Sequence, residues 1–323
     1  MTRSWKIASA IAVGILAVTG CGSDDAGTAV QDGPSATTSP EAPTTTKSGG
    51  ATRTATTEAA SGDAVERAVD KTGWYGGFKI TVDDVTATPE GGATAVDLEL
   101  SYENLVGVKN TAPDTGYLEV DGGEVVEVTF DNPDIAGFGK GTGAATASLK
   151  STDDSADLKE TLDSLVLVYG EPDSNTTRLP FAADAAVQTI EPRGIPVGQT
   201  FGDKAQIELS KAFLWPSYEP GEKGKYELWT EVSVTCTDQC ARFGYGITIA
   251  NFTLTSPTGK AVKPDSRSPA TMSSMSDISP VERQWLVFVI DKPTTGNYTF
   301  NLTMKAMSNQ PEYAVDATTA ITL

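Results

Sequence analysis

The residues with the most chemistry to offer are a close pair of cysteines, Cys236 and Cys240, and a surplus of carboxylates. In an extended strand, residues four apart lie ~13 Å from each other, well beyond the ~4.4–6.8 Å Cα separation of a disulfide. A bond between them therefore requires the chain to reverse at Thr237-Asp238-Gln239. Closing so short a loop stabilises by only ~2 kcal/mol in the chain-entropy picture, so its main effect would be on loop shape. Redox-active thiols are the alternative, but the spacing is C-x-x-x-C and no basic helix N-terminus adjoins it. Zinc would need two further ligands, and the 323 residues contain no histidine. That absence also removes histidine general bases and histidine pH switches. Asp83-Asp84, Asp131 with Asp134, and Asp153-Asp154 are the close carboxylates. Glycosidase chemistry needs two such groups ~5–9 Å apart across one cleft, whereas adjacent acids in so acidic a chain are usually solvated faces or turns. No calcium-loop pattern, G-x-S-x-G elbow or Gly-rich phosphate loop before a helix occurs. The chain reads as a non-enzyme without a cofactor or metal. With 24 Lys+Arg against 43 Asp+Glu, the net charge of −19 leaves no basic stripe for nucleic acid.

Aromatic residues give a second set of candidates. Trp215-Pro216-Ser217-Tyr218 follows an apolar strand, and Trp229 alternates with Glu227 and Glu231 on one face of another. That face is the outer side of a sheet, or an interface between domains or with a partner. Trp215, Tyr218 and Trp229 could stack on sugars or anchor a protein contact. Packing in a core or between domains is the plainer reading of each.

The first twenty residues read as an address. Arg3 and Lys6 precede an uncharged apolar run, Ile7 to Val18, too short to span a ~30 Å hydrocarbon core but suited to a signal peptide. The sequence Val18-Thr19-Gly20-Cys21 that follows resembles the lipobox of bacterial lipoproteins. The resemblance implies cleavage before Cys21, lipidation of its thiol, and a body held at the extracytoplasmic face of the cell membrane by acyl chains. Losing Arg3 and Lys6 would take the formal charge from −19 to −21. Residues 21–63 are rich in Thr, Ala, Ser, Gly and Pro, with Val30 the only large apolar residue between 22 and 62. Such a segment cannot bury enough surface to offset chain entropy, and it reads as a disordered stalk. Within the entry to the folded part, Asp63 to Lys71 is expected to form a short helix.

From Trp74 the pattern has period two, as in Phe78-Lys79-Ile80-Thr81-Val82 and Val96-Asp97-Leu98-Glu99-Leu100. Such alternation predicts half-buried antiparallel strands packed as two sheets. The acidic run Ser151 to Asp163 is the one helical insertion expected. Pro192, Gly194, Pro196 and Gly198 mark a linker at 186–199, separating blocks at 64–185 and 200–323. The blocks read as a diverged repeat, with Leu165–Pro172 aligned to Leu286–Pro293.

The order of features is an aromatic-Gly step at Trp74, a strand closing near Asn104, and a late apolar strand with a Pro turn. It is similar to the immunoglobulin-like domains of actinobacterial and firmicute lipoproteins of unknown function. The resemblance implies an all-β chain of two tandem immunoglobulin-like antiparallel β-sandwiches after a signal peptide and stalk. The function expected is an interaction module for an envelope protein, with a reader of cell-wall glycan or a small molecule as the alternative.

Overall fold

A computed structural model describes residues 64–120, 123–150, 155–237, 245–272, 280–305 and 313–323, the side chains of 155–157 apart. Their regular structure is mainly β, in antiparallel sheets, and they belong to one compact unit. No helix among them is long and apolar enough to cross a membrane.

The first block opens on β1 (Val65–Tyr75), β2 (Phe78–Glu90) and β3 (Ala93–Asn104), paired in sequence. Gly76-Gly77 and Gly91-Gly92 join them with positive φ at all four residues, the conformation that two-residue hairpin turns of type I′ demand. Of the segment expected as a helix, the described residues 64–71 instead lead into and along β1, and Asp63 lies outside the described residues. A nine-residue helix is marginal alone, while the edge of β2 satisfies the same backbone groups cooperatively and lets Val69 reach the core. Short strands β4 (Asn110–Thr111), β5 (Gly116–Val120), β6 (Glu124–Glu127), β7 (Thr129–Asp131) and β8 (Asp134–Ile135) precede β9 (Lys140–Lys150). The acidic run supplies helix α1 (Ser155–Ser164), whose Leu158 and Leu162 fall one turn apart on the core side. β10 (Val166–Tyr169) and β11 (Thr177–Pro180) complete the block. Its sheets run β1-β2-β3-β9-β7 and β11-β10-β5-β6, with a separate β4-β8 pair. Alternate residues of both large sheets, such as Ile80, Leu98, Leu118 and Leu167, build one core.

The second block has β12 (Arg193–Gly194), β13 (Thr200–Phe201), β14 (Ala205–Pro216), β15 (Tyr226–Cys236), β16 (Phe252–Thr255) and β17 (Ala261–Val262). β18 (Val281–Ile290), β19 (Asn297–Met304) and β20 (Val315–Thr322) follow. Its sheets run β12-β14-β15-β18, with β13 also on β14, and β17-β16-β19-β20. A second core lies here, with Ile207, Leu228, Phe288 and Phe300 among its buried residues. The segment 186–199 is tied to both blocks. Gln188 bridges to Arg178, Thr189 Oγ1 accepts the Trp74 N–H at 3.0 Å, and Arg193–Gly194 pairs with β14.

Seven strands of the two blocks match in order. The order β2-β3-β9 is repeated as β14-β15-β18, and β11-β10-β5-β6 as β20-β19-β16-β17. An irregularity is repeated too. β2 shifts register between Val82 and Asp84 opposite Leu100 and Glu99, and β14 between Leu209 and Lys211 opposite Val232 and Glu231. The partner strands read Glu99-Leu100-Ser101 and Glu231-Val232-Ser233. In β2 the extra residue, Asp83, resets the alternation so that Val85 points inward again. Asp83 accepts the Ser101 hydroxyl at 2.6 Å, and the extra residue of β14, Ser210, donates to Glu231 at 2.7 Å.

This register corrects the repeat alignment drawn from sequence. Leu165–Pro172 carries β10 of one sheet, whereas Leu286–Pro293 continues from β18 of the other. The two segments look alike because each is buried on both faces: Leu167, Val168 and Tyr169 in one, Leu286, Val287 and Phe288 in the other.

Candidate functional site

The three aromatics singled out from the sequence lie together. On β15, Leu228, Thr230 and Val232 point into the core, so Glu227, Trp229 and Glu231 stand on the outer face. Trp229 is half-buried there, and Trp215 on β14 is fully buried beside it, ring centroids 5.3 Å apart. Two residues that sequence reasoning did not select, Phe213 and Trp285, extend the cluster: Phe213 stacks on Trp215 at 6.3 Å and on Trp285 at 6.2 Å.

The first block covers this layer. Gly107 and Gly137 approach so closely that a Cβ on Gly137 would meet the Gly107 backbone at 2.3 Å. A Cβ on Gly107 would meet Trp285 Nε1 at 2.8 Å. Both positions therefore require glycine for the contact to form. Next to them, Phe138 has φ of 56° and is held by its N–H donating to the Val106 carbonyl at 2.9 Å. Its ring meets Trp285 edge-on at 6.3 Å, and Lys211 Nζ sits 3.7 Å from its centroid. Gly77 lies against the ring of Trp215.

Tyr218 forms the other half of the joint. It packs on Tyr75 with centroids 4.3 Å apart and donates its hydroxyl to the Trp74 carbonyl at 3.0 Å. Burial raises the Tyr218 phenol well above its ordinary pKa and pushes Tyr75 up to about 12, so both phenols stay neutral. Asn175 adds bonds to Ser217 O at 2.5 Å and from Gly224 N at 3.2 Å.

Beneath the tryptophans lies a buried carboxylate. Glu227 Oε2 accepts Trp229 Nε1 at 2.8 Å and Trp215 Nε1 at 3.2 Å, and Oε1 accepts Arg267 at 2.7 Å and Ser217 at 3.1 Å. Arg267 also reaches Glu222 at 3.0 Å and Asp265 at 2.8 Å. Burial raises the Glu227 pKa despite these donors. Asp265 is held below its usual range by the Arg267 guanidinium. Glu222 is also lowered, since Ser217 and Arg267 outweigh its burial. Every oxygen of Glu227 is satisfied within the protein, and the group acts as a cross-brace for the indoles. A Glu alternating with Trp along one strand was the sequence signal for this network; its arginine, forty residues away, carried none.

The carboxylates singled out for catalysis lie apart. Asp83 and Asp84 form the bulge of β2, and Asp134 binds Thr111 Oγ1 at 2.6 Å and Lys109 at 2.7 Å on the surface. Asp153-Asp154 lies outside the described residues, as do Cys21 and Cys240. Cys236 ends β15 opposite Ala205.

No family model matches the chain, and no curated protein does. Among solved structures, a conserved domain protein from Bacillus anthracis is similar over 80% of this chain and 91% of its own, at 10% identity and a TM-score of 0.27. A likeness that low carries no argument about this protein.

Proposed function

We propose that this chain is a lipid-anchored, extracytoplasmic, non-enzymatic protein whose two immunoglobulin-like β-sandwiches form an interaction module for an envelope protein. The lipobox-like Val18-Thr19-Gly20-Cys21 supports the anchor, and no contact with nucleic acid is proposed. The immunoglobulin-like reading is supported by strand order. β2-β3-β9 against β11-β10-β5-β6 follows the A-B-E and G-F-C-C′ arrangement, and the second block repeats it. A disulfide between Cys236 and Cys240 belongs to the same proposal.

The observation that carries the module reading is the joint. The outer aromatic layer of the second block is covered by Phe138, Gly107 and Gly77 of the first, and Tyr218 packs on Tyr75, which supports reading the pair of sandwiches as one presenting body. Tagged full-length chain recovered from detergent-solubilised membranes should bring down one stoichiometric envelope protein, and Cys21→Ser should leave the membrane fraction. Recovery of no specific partner would overturn the reading. Reading of a glycan is the second possibility, favoured by a polar hollow on the first block.

A further inference from the structure

Two cross-strand rows run over the outer face of β1-β2-β3-β9. One is Trp74–Lys79–Glu103–Lys140, the other Thr72–Thr81–Ser101–Thr142, each residue paired with the next. Alternation sends Ile80, Leu100 and Tyr102 to the core and both rows to the opposite side. Lys79, Thr81, Ser101, Glu103, Lys140 and Thr142 line a hollow of about 440 Å³ there, within the size range of ligand sites.

Two of its polar groups are uncommitted: the Lys79 ammonium and the Thr142 hydroxyl have no hydrogen-bond or ion-pair partner among the described residues. Trp74 does not line the hollow but stands next to Lys79 in its row. Lys140 meets Glu103 only at 3.3 Å, in an exposed pair. The two lysines are balanced by Glu103 and Asp83 on the same face, so no net positive field awaits a phosphate or a polyanion. What remains is a mixture of donors and acceptors beside a half-buried indole. A hydroxyl both donates and accepts, and the apolar side of a sugar ring stacks on an aromatic face. Four strands ~4.8 Å apart give a track ~14 Å long, which suits a chain of sugars better than one.

We propose that this face of the first block binds a neutral oligosaccharide, with Trp74 as the stacking platform and Lys79, Glu103 and Thr142 reading ring hydroxyls. The proposal rests on the glycan reading above and gives it a site away from Trp215 and Trp229. Full-length chain would be titrated with neutral hexasaccharides (β-1,4-linked N-acetylglucosamine, β-1,3-glucan, α-1,6-mannan) and with an oligogalacturonate, followed by calorimetry. At least one neutral chain should bind saturably. Trp74→Ala and Lys79→Ala should each weaken it about tenfold, roughly 1.4 kcal/mol, while Lys292→Ala on the second block should leave it nearly unchanged. Should Trp74→Ala unfold, Lys79→Ala and Thr142→Ala on the open face carry the test. Binding of no neutral chain, binding of the oligogalacturonate alone, or indifference to Lys79→Ala and Thr142→Ala would overturn the proposal. The envelope pull-down repeated with Lys79→Ala separates the two readings, because a protein partner held elsewhere would be retained.

Discussion

Aligned on their matching bulges, the two blocks give the same outer sheet face opposite characters. Where the second block has Phe213–Trp229–Val287 in one cross-strand row, the first has Thr86–Asp97–Thr146. Trp285 opposite Glu231 becomes Ala144 opposite Glu99, and Trp215 opposite Glu227 becomes Thr88 opposite Ala95. The inward residues are mostly apolar in both, with Thr94 and Asn104 in the first block and Thr230 in the second as buried polar members. The core between the sheets therefore dictates only one face of each strand. The other is set by what covers it, protein in the second block and an open polar surface in the first.

The largest break in that comparison should come from Trp285→Ala. The side chain is fully buried between Phe213, Trp229 and Phe138, and truncation should cost about 3–5 kcal/mol in urea unfolding. Thr142→Ala on the open face of the first block should stay within ~0.5 kcal/mol. A Trp285→Ala loss below ~1 kcal/mol would mean that the joint contributes little to stability.

This asymmetry explains what could be read in the sequence and what could not. Strands such as Phe78–Val82 and Val96–Leu100 are buried on one side, so alternation announces them and their inward residues. Trp229 was legible as outward-facing for the same reason. β10 and β18 defeated the alignment, because a strand covered on both sides has no phase to read. Asp63–Lys71 reads as a short helix because the start of β1 depends on β2 for its partners, a contact outside any local window. The joint itself was half visible. Tryptophans marked one side, but Gly107, Gly137 and Phe138 matter through close approach, which spacing does not encode. Arg267 reaches Glu227 only through the fold.

A smaller effect should come from the brace under the tryptophans. Glu227→Leu strands two indole N–H donors and should cost about 2–4 kcal/mol. Glu227→Gln keeps an acceptor for them and should cost ~1 kcal/mol at neutral pH. The pH dependence separates the two roles. Burial raises the Glu227 pKa, so its contribution is fully present below the unfolded value near 4.3 and is lost as pH rises through the folded value. Glu222 and Asp265 are lowered, and their contributions are present above the unfolded values and lost as pH falls. Protonation of Glu227 thus offsets part of the acid-side loss in the native protein. With Glu227→Gln that offset is gone, and stability should fall more steeply from pH 6 to 3.5. Parallel urea midpoints of mutant and native protein across that range would contradict the assignment.

The smallest expected difference tests the repeat itself. Ser101→Ala and Ser210→Ala each remove the hydroxyl–carboxylate bond that ties the bulge residue, Asp83 in one block and Ser210 in the other, to the neighbouring strand. Asp83 is half-buried on the open face and water can replace Ser101, so that change should cost ~0.5 kcal/mol. Glu231 is 2% exposed, and its other side-chain partner is Arg283 at 3.1 Å. Losing Ser210 there should cost about 1–1.5 kcal/mol, since a buried carboxylate suffers more from each missing donor. The same bulge would then differ in worth between blocks only because one of the two faces is covered. Equal losses in the two variants, measured by urea unfolding, would show that burial of the face does not set the strength of the device beneath it.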